Sequence, residues 1–114
     1  MKKPLKVFIL AGQSNMAGRA LVEVNDTIPN KRILSINKKG ELIHAKEPLH
    51  FYEPKLSGLS CGLSFGNELL NHIPESISIV LIPTAIGGSS INQWICDSTY
   101  RGVSLLSNFK EKVE

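Results

Sequence analysis

Val7-Phe8-Ile9-Leu10-Ala11-Gly12-Gln13-Ser14-Asn15-Met16-Ala17-Gly18 is the stretch that sets the fold of this chain. The apolar run that begins at Leu5 and ends at Leu10 suits a parallel strand covered on both faces. It stops at Gly12, and Ser14 follows two residues later, where the chain must turn. A serine on a tight turn at the carboxyl end of a parallel strand stands where a nucleophile is held. Ser14 is therefore the expected nucleophile toward an ester. Gly12-Gln13-Ser14-Asn15-Met16 gives only the first half of a Gly-x-Ser-x-Gly elbow, which weakens an α/β-hydrolase assignment. Gly12 and Gly18 are wrongly spaced for a phosphate-binding loop, and no Lys-Ser or Lys-Thr follows.

Outward from that turn, Val22 to Arg32 is irregular, with Asn25, Asp26, Pro29 and Asn30 as turn residues. Ile33 to Ile36 predicts a second strand, Asn37 to Gly40 a turn, and Glu41 to His44 a returning hairpin arm. Lys46 to Leu59, with Pro48 and Pro54, is expected to be an extended surface loop of functional character. Leu63 to Ile73 predicts a helix with Leu63, Leu69, Leu70 and Ile73 on one stripe, ended by Pro74. Ser78 to Ile82 is a third, almost wholly apolar strand. Ala85 to Ser90 forms a glycine-containing loop at its carboxyl end, and Ile91 to Trp94 a helical turn. Val103 to Glu114 has helical spacing but no stop signal, as in a helix cut in mid-course. Strands separated by helices imply an α/β sandwich with a parallel sheet. With three strands, Ser78–Ile82 is expected to be an open, unpaired edge suited to self-association.

With 114 residues the chain is read as one domain at most, and 42% hydrophobic with 20% charged residues supports a soluble core. The net charge of +3 comes from scattered basic residues without interleaved aromatics, which argues against nucleic acid as a partner. No apolar run approaches a membrane span, and the short run after Met1-Lys2-Lys3-Pro4 is read as a strand and not a signal peptide. A cytoplasmic location is the default. Cys61 and Cys96 have neither a CxxC nor a zinc spacing and are expected to be buried or half-buried thiols, a disulfide between them staying open. No metal or organic cofactor is implied.

Three blocks in order resemble the SGNH-type esterases of the sialate O-acetylesterase and acetylxylan esterase group, carbohydrate esterase family 6. They are Phe8 to Gly18; Glu47-Pro48-Leu49-His50 through Gly58-Leu59-Ser60-Cys61-Gly62-Leu63-Ser64-Phe65-Gly66; and Ile82-Pro83-Thr84-Ala85-Ile86-Gly87-Gly88-Ser89-Ser90-Ile91-Asn92-Gln93-Trp94. The resemblance implies a three-layer, flavodoxin-like α/β sandwich, here its amino-terminal part (1–114), incomplete on the carboxyl-terminal side. It implies Ser14 as nucleophile, the Ser14 amide as one oxyanion donor and the Gly62 amide as a second, on an acetylated carbohydrate or other small ester. The family's Gly-Pro-Gly is Ser60-Cys61-Gly62 here, which makes Gly62 the less secure of the two. The family's later Gln-Gly-Glu and Asp-x-x-His blocks, the latter supplying base and carboxylate, have no counterpart in the sequence. The chain alone is accordingly expected to be nearly inactive.

Around that site, Gln13 and Asn15 either hydrogen-bond within the turn or meet the substrate. Gly88 and Ser89 either line the acyl or sugar pocket or form a strand-to-helix turn. Trp94 is expected to close the core under that turn. His50 could approach the mouth of the site, but a structural or substrate-side contact is the plainer role; His44 is expected to face solvent and His72 to sit near a helix end. Asp26, Asp97 and Glu68 have no partner at an informative spacing. Two rival functions stand beside the esterase: a non-catalytic fragment or module that pairs through its edge strand, and a small nucleotide-binding domain resting on the two glycine loops alone.

Overall fold

The computed structural model describes residues 4–28, 30–96, 98–100 and 102–113, the side chains of Asp26 and Val113 excepted. Asp97, and the side chain of Asp26, thus lie outside the described residues. The apolar run Leu5–Leu10 is strand β1, followed by a one-turn helix α1 at Ser14–Ala17 and a 3-10 turn at Val24–Thr27. Strands β2 (Ile33–Ile36) and β3 (Leu42–His44) form the expected antiparallel hairpin, with Leu34 opposite His44. Helix α2 spans Gly62–Leu70, β4 Ser78–Pro83 and α3 Ile91–Ile95. Strands β5 (Thr99–Tyr100) and β6 (Val103–Ser104) make a small hairpin that leads into α4 (Leu105–Val113).

The fold is mixed α/β with a mostly parallel sheet in the order β1-β4-β2-β3. This corrects the expected edge. Ser78–Ile82 lies in the interior, parallel to β1 on one side and to β2 on the other. Its composition explains the placement: every residue from Ile79 to Pro83 is buried, as a strand flanked on both sides and covered on both faces requires. Among the described residues the open edges are β1 and β3, and β1 carries the matching signature, with Leu5 and Val7 about half exposed (49% and 53%).

Helix α2 covers the sheet face that presents Ile33, Ile79 and Leu81, with Leu63 buried and Leu69, Leu70 and Ile73 packed against the same cluster. The helix ends at Leu70, short of the Ile73 expected from the stripe; Asn71 and His72 close it with a tighter turn before Pro74. Gly66 lets the helix approach: a Cβ there would lie 3.3 Å from Ile33 Cδ1. Phe65, 43% exposed, lies at the margin of this cluster and meets Phe8 of β1 edge to face at 5.0 Å.

The segment from Lys46 to Leu59 is not simply a surface loop. Glu47, Leu49, His50, Glu53 and Gly58 within it are buried, so it closes the core under the carboxyl ends of the strands. Tyr52 fastens it, donating its hydroxyl to the Pro83 carbonyl at 2.6 Å and accepting from Asn108 of α4 at 3.0 Å. Both cysteines are exposed free thiols, contrary to the expected burial.

Candidate active site

The carboxyl ends of β1 and β4 lie side by side, Leu10 opposite Pro83, so the loops that follow them meet. Thr84 ties the ends together, its amide and hydroxyl both donating to the Leu10 carbonyl at 2.9 and 3.0 Å. The chain then turns at Gly12, whose φ of +144° favours glycine, and the Gly12 carbonyl accepts from the Ile86 amide at 3.1 Å. Ser14 opens α1, half-buried and beside the exposed Gln13 and Asn15. Its hydroxyl donates to Gln13 Oε1 at 2.7 Å, and its backbone amide donates to the same oxygen at 2.8 Å. Of the two roles open to Gln13, its side chain here takes the one inside the turn.

The second turn expected at the site, Ser60-Cys61-Gly62, lies against the first. Gly62 packs where a Cβ would come within 2.8 Å of both Leu10 and Leu49 methyl groups, and Cys61 Sγ is 3.7 Å from Met16 Sδ of α1. A side chain there would displace both leucine methyls, so the glycine allows close packing beneath β1. Its amide donates to Ser60 Oγ at 3.2 Å, and both of these residues are buried. Behind it stands Glu47, which is 1% exposed. Burial pushes its carboxyl up from the ordinary range, against the opposing pull of the Leu63, Leu49 and Ser60 amides and the Ser60 hydroxyl. Glu47 therefore braces the turn that carries Gly62.

A third cluster had no signal in the spacing. Arg19 Nη2 pairs with Glu53 Oε2 at 2.9 Å, and the Gly87 amide donates to the same oxygen at 2.9 Å. One buried carboxylate thus joins the loops after β1, within 46–59, and after β4. Glycines make the crossing possible: the Gly58 amide donates to the Gly18 carbonyl at 3.0 Å, and a Cβ on either glycine would run into the other strand's backbone. Three segments 34 residues or more apart meet here, which no local pattern encodes.

The third block is a framework turn in this structure. Ser89 donates to the Ile86 carbonyl at 2.7 Å and accepts from the Trp94 indole at 3.0 Å. Ser90 and Gln93 form a reciprocal cap on α3, with Ser90 Oγ taking the Gln93 amide and Gln93 Oε1 the Ser90 amide. Gly88 is exposed with φ +76°. Trp94 is half-buried, edge to face with Phe109 of α4.

None of the three histidines hydrogen-bonds Ser14. His50 is 3% exposed, its ring against the Leu10 backbone at the end of β1. Burial lowers its pKa to about 4, the Leu10 backbone and the Glu53 charge opposing this less strongly and Arg19 adding to it. It is a neutral core imidazole and not a group at the mouth. His44 is exposed on β3, and His72 sits 3.3 Å from Glu68 one turn away, both exposed. Glu68 thus has a local partner that its spacing to His72 does encode.

With this geometry in view, comparisons with known proteins converge. Residues 4–114 match the family described as carbohydrate esterase, sialic acid-specific acetylesterase. A "probable carbohydrate esterase" of Arabidopsis thaliana, At4g34215, is 32% identical over 108 residues, covering 80% of this chain and 42% of the plant protein. The crystal structure of that Arabidopsis protein superposes with a TM-score of 0.78 at 30% identity, covering 94% of this chain and 49% of the other. NanS superposes at 0.59 with 22% identity, 76% of this chain against 36% of its own, which bears on the fold alone. The chain spans about half or less of the length of these relatives.

Proposed function

Because this chain belongs to the sialic acid-specific acetylesterase family of carbohydrate esterases, we propose that it carries the nucleophile half of a serine esterase site that removes O-acetyl groups from carbohydrate. The observation behind this is the Ser14 turn, where a hydroxyl and its own backbone N–H point to one oxygen, 2.7 and 2.8 Å away. An acyl-transfer site needs both at one place: a nucleophile for the carbonyl carbon and a donor at 2.7–3.1 Å for the oxyanion that forms. In the reaction Ser14 Oγ bonds to the acetyl carbon, its proton passes to a general base, and the sugar oxygen leaves with that proton. Water then cleaves the acyl-serine and releases acetate. The Gly62 amide is the second donor that the family resemblance implies, and to serve it would have to leave Ser60 Oγ, to which it is given at 3.2 Å in the buried turn that abuts the first.

Residues 1–114 alone are nearly inactive in this account. Serine needs a histidine base, and removing one triad member costs several orders of magnitude in rate. His50 is too buried to serve, and neither His44 nor His72 hydrogen-bonds Ser14. The substrate is an O-acetylated sugar of the sialic acid class, by analogy with the family description. Acetate release from O-acetylated sialic acid, compared between the chain and Ser14→Ala, tests the proposal. The expected result is a trace activity, present in the chain and absent from the variant; equal rates for the two would overturn the role of Ser14.

A non-catalytic reading keeps one observation on its side. Edge pairing with another chain would run along β1, where Leu5 and Val7 are exposed, and not along the interior strand Ser78–Pro83. Light scattering on the chain and on Val7→Lys distinguishes it: an oligomer dispersed by the substitution supports edge pairing, and a monomer in both excludes it.

A further inference from the structure

We propose that Gln13 is a built-in occupant of the acyl-oxygen position, a side chain that substrate must displace before Ser14 can react. The inference rests on Ser14 being the nucleophile. A substrate carbonyl would need the Ser14 N–H, and a base would need the Ser14 O–H. Both are already given to one acceptor, Gln13 Oε1, at 2.8 and 2.7 Å. That oxygen is an amide carbonyl, the nearest chemical relative of an ester carbonyl that a side chain can offer.

A plain helix-capping role does not account for the contact. Caps are built from serine, threonine, aspartate or asparagine, whose short side chains accept from the amide two or three residues ahead. Here a longer glutamine folds back on the very next amide, of a helix only four residues long. The same oxygen also takes the hydroxyl of Ser14, which capping does not require. Gln13 is exposed, so it can swing into solvent without disturbing the core, and the α1 turn keeps its backbone bonds from Met16, Ala17 and Gly18.

The consequence is a brake on ligand entry. When the competent state is only a fraction of the population, apparent affinity falls by that fraction. Two neutral hydrogen bonds on an exposed group hold the open form at about a tenth of the molecules. Residue 13 then sets how strongly an acyl group must bind elsewhere to enter, and so selects against small unanchored esters.

Methylboronic acid is a suitable probe, because it places a boron where the acetyl carbon would be and needs no turnover. Ser14 Oγ bonds to boron, the hydroxyl proton goes to solvent, and nothing leaves. Binding is followed through the Ser14 amide resonance in the 114-residue chain, in Gln13→Ala and in Gln13→Glu. Gln13→Ala is expected to bind about tenfold more tightly than the parent. Gln13→Glu, which keeps the acceptor and adds a negative charge where the boronate forms, is expected to bind more weakly than the parent. A residue that only caps acts on helix stability, and its loss would leave Gln13→Ala binding no more tightly than the parent. Equal or weaker binding by Gln13→Ala, or no adduct in any of the chains, overturns the proposal. Ser14→Ala in each background separates the two levels. An adduct that survives it removes Ser14 as nucleophile, whereas an adduct lost with Ser14 but insensitive to residue 13 removes only the brake.

Discussion

The turn at Ser14 and the turn at Gly62 have the same expected task, to offer a backbone N–H to an oxyanion, and they meet it from opposite physical states. At Ser14 the amide is half-buried and its acceptor, Gln13, is an exposed side chain free to leave. At Gly62 the amide is buried, and its acceptor, Ser60 Oγ, is held in turn against the Glu47 carboxylate at 3.4–3.5 Å. One donor is adjustable and the other is locked. A glycine in a motif thus marks close packing as readily as it marks access for a ligand.

The largest effect is expected where both turns share a support. Gly58→Ala would drive a Cβ into the Ala20 carbonyl oxygen. Backbone has nowhere to retreat, so the substitution should cost about 3 kcal/mol or more in urea unfolding. A variant as stable as the parent would show that the crossing of the two segments does not hold the site.

Next is acid sensitivity from His50, which lies against the Leu10 backbone at the end of β1. Its folded pKa, lowered to about 4, lies below the usual 6.5. The unfolded chain therefore takes up a proton first as pH falls, and stability present above 6.5 is lost progressively toward 4. The shift corresponds to about 3 kcal/mol at most. His50→Phe should flatten the stability profile between pH 6.5 and 4 relative to the parent. An unchanged slope would mean that the imidazole is solvated.

Glu47→Ala should distinguish the two turns. Loss of an acceptor shared by the Leu49, Ser60 and Leu63 amides leaves buried donors unmatched, costing about 2 kcal/mol. Amide resonances of 60–63 should move while those of 14–17 stay. The sign of the pH effect is opposite to that of His50: a carboxyl held above its unfolded pKa makes the fold less stable as pH rises through that window, and Glu47→Gln should remove that loss. The smallest effect is expected for Ser60→Gly, within about 1 kcal/mol in stability. It frees the Gly62 amide, whose exchange with solvent should quicken. Slow exchange in that variant would show that Ser60 was not its acceptor.

Much of this architecture is legible in the sequence because its signals are local. Leu5–Leu10 and Ile33–Ile36 are apolar runs with clear stops, and the boundaries match. What was illegible is long-range. A run such as Ser78–Pro83 looks identical whether it ends a sheet or divides it, and only pairing on both sides makes it central. The Arg19–Glu53–Gly87 junction joins three loops by tertiary contact alone. His50 carried a loop position in the sequence, but its burial comes from the strand ends above it. At the site itself, the turn that carries Ser14 is legible from its place after a strand, while the acceptors that hold the two amides depend on rotamers that no motif specifies.

In the proposed reaction Ser14 is the acyl acceptor. Treating the chain with 4-nitrophenyl acetate in the presence of imidazole, an external base, and mapping acetyl groups by peptide mass spectrometry tests it most directly. Because the proposed scheme gives residues 1–114 no base to drive deacylation, an acetyl group on Ser14 should accumulate, and the Ser14→Ala chain should lack it. Acetylation confined to lysines, with Ser14 unmodified, would contradict the account.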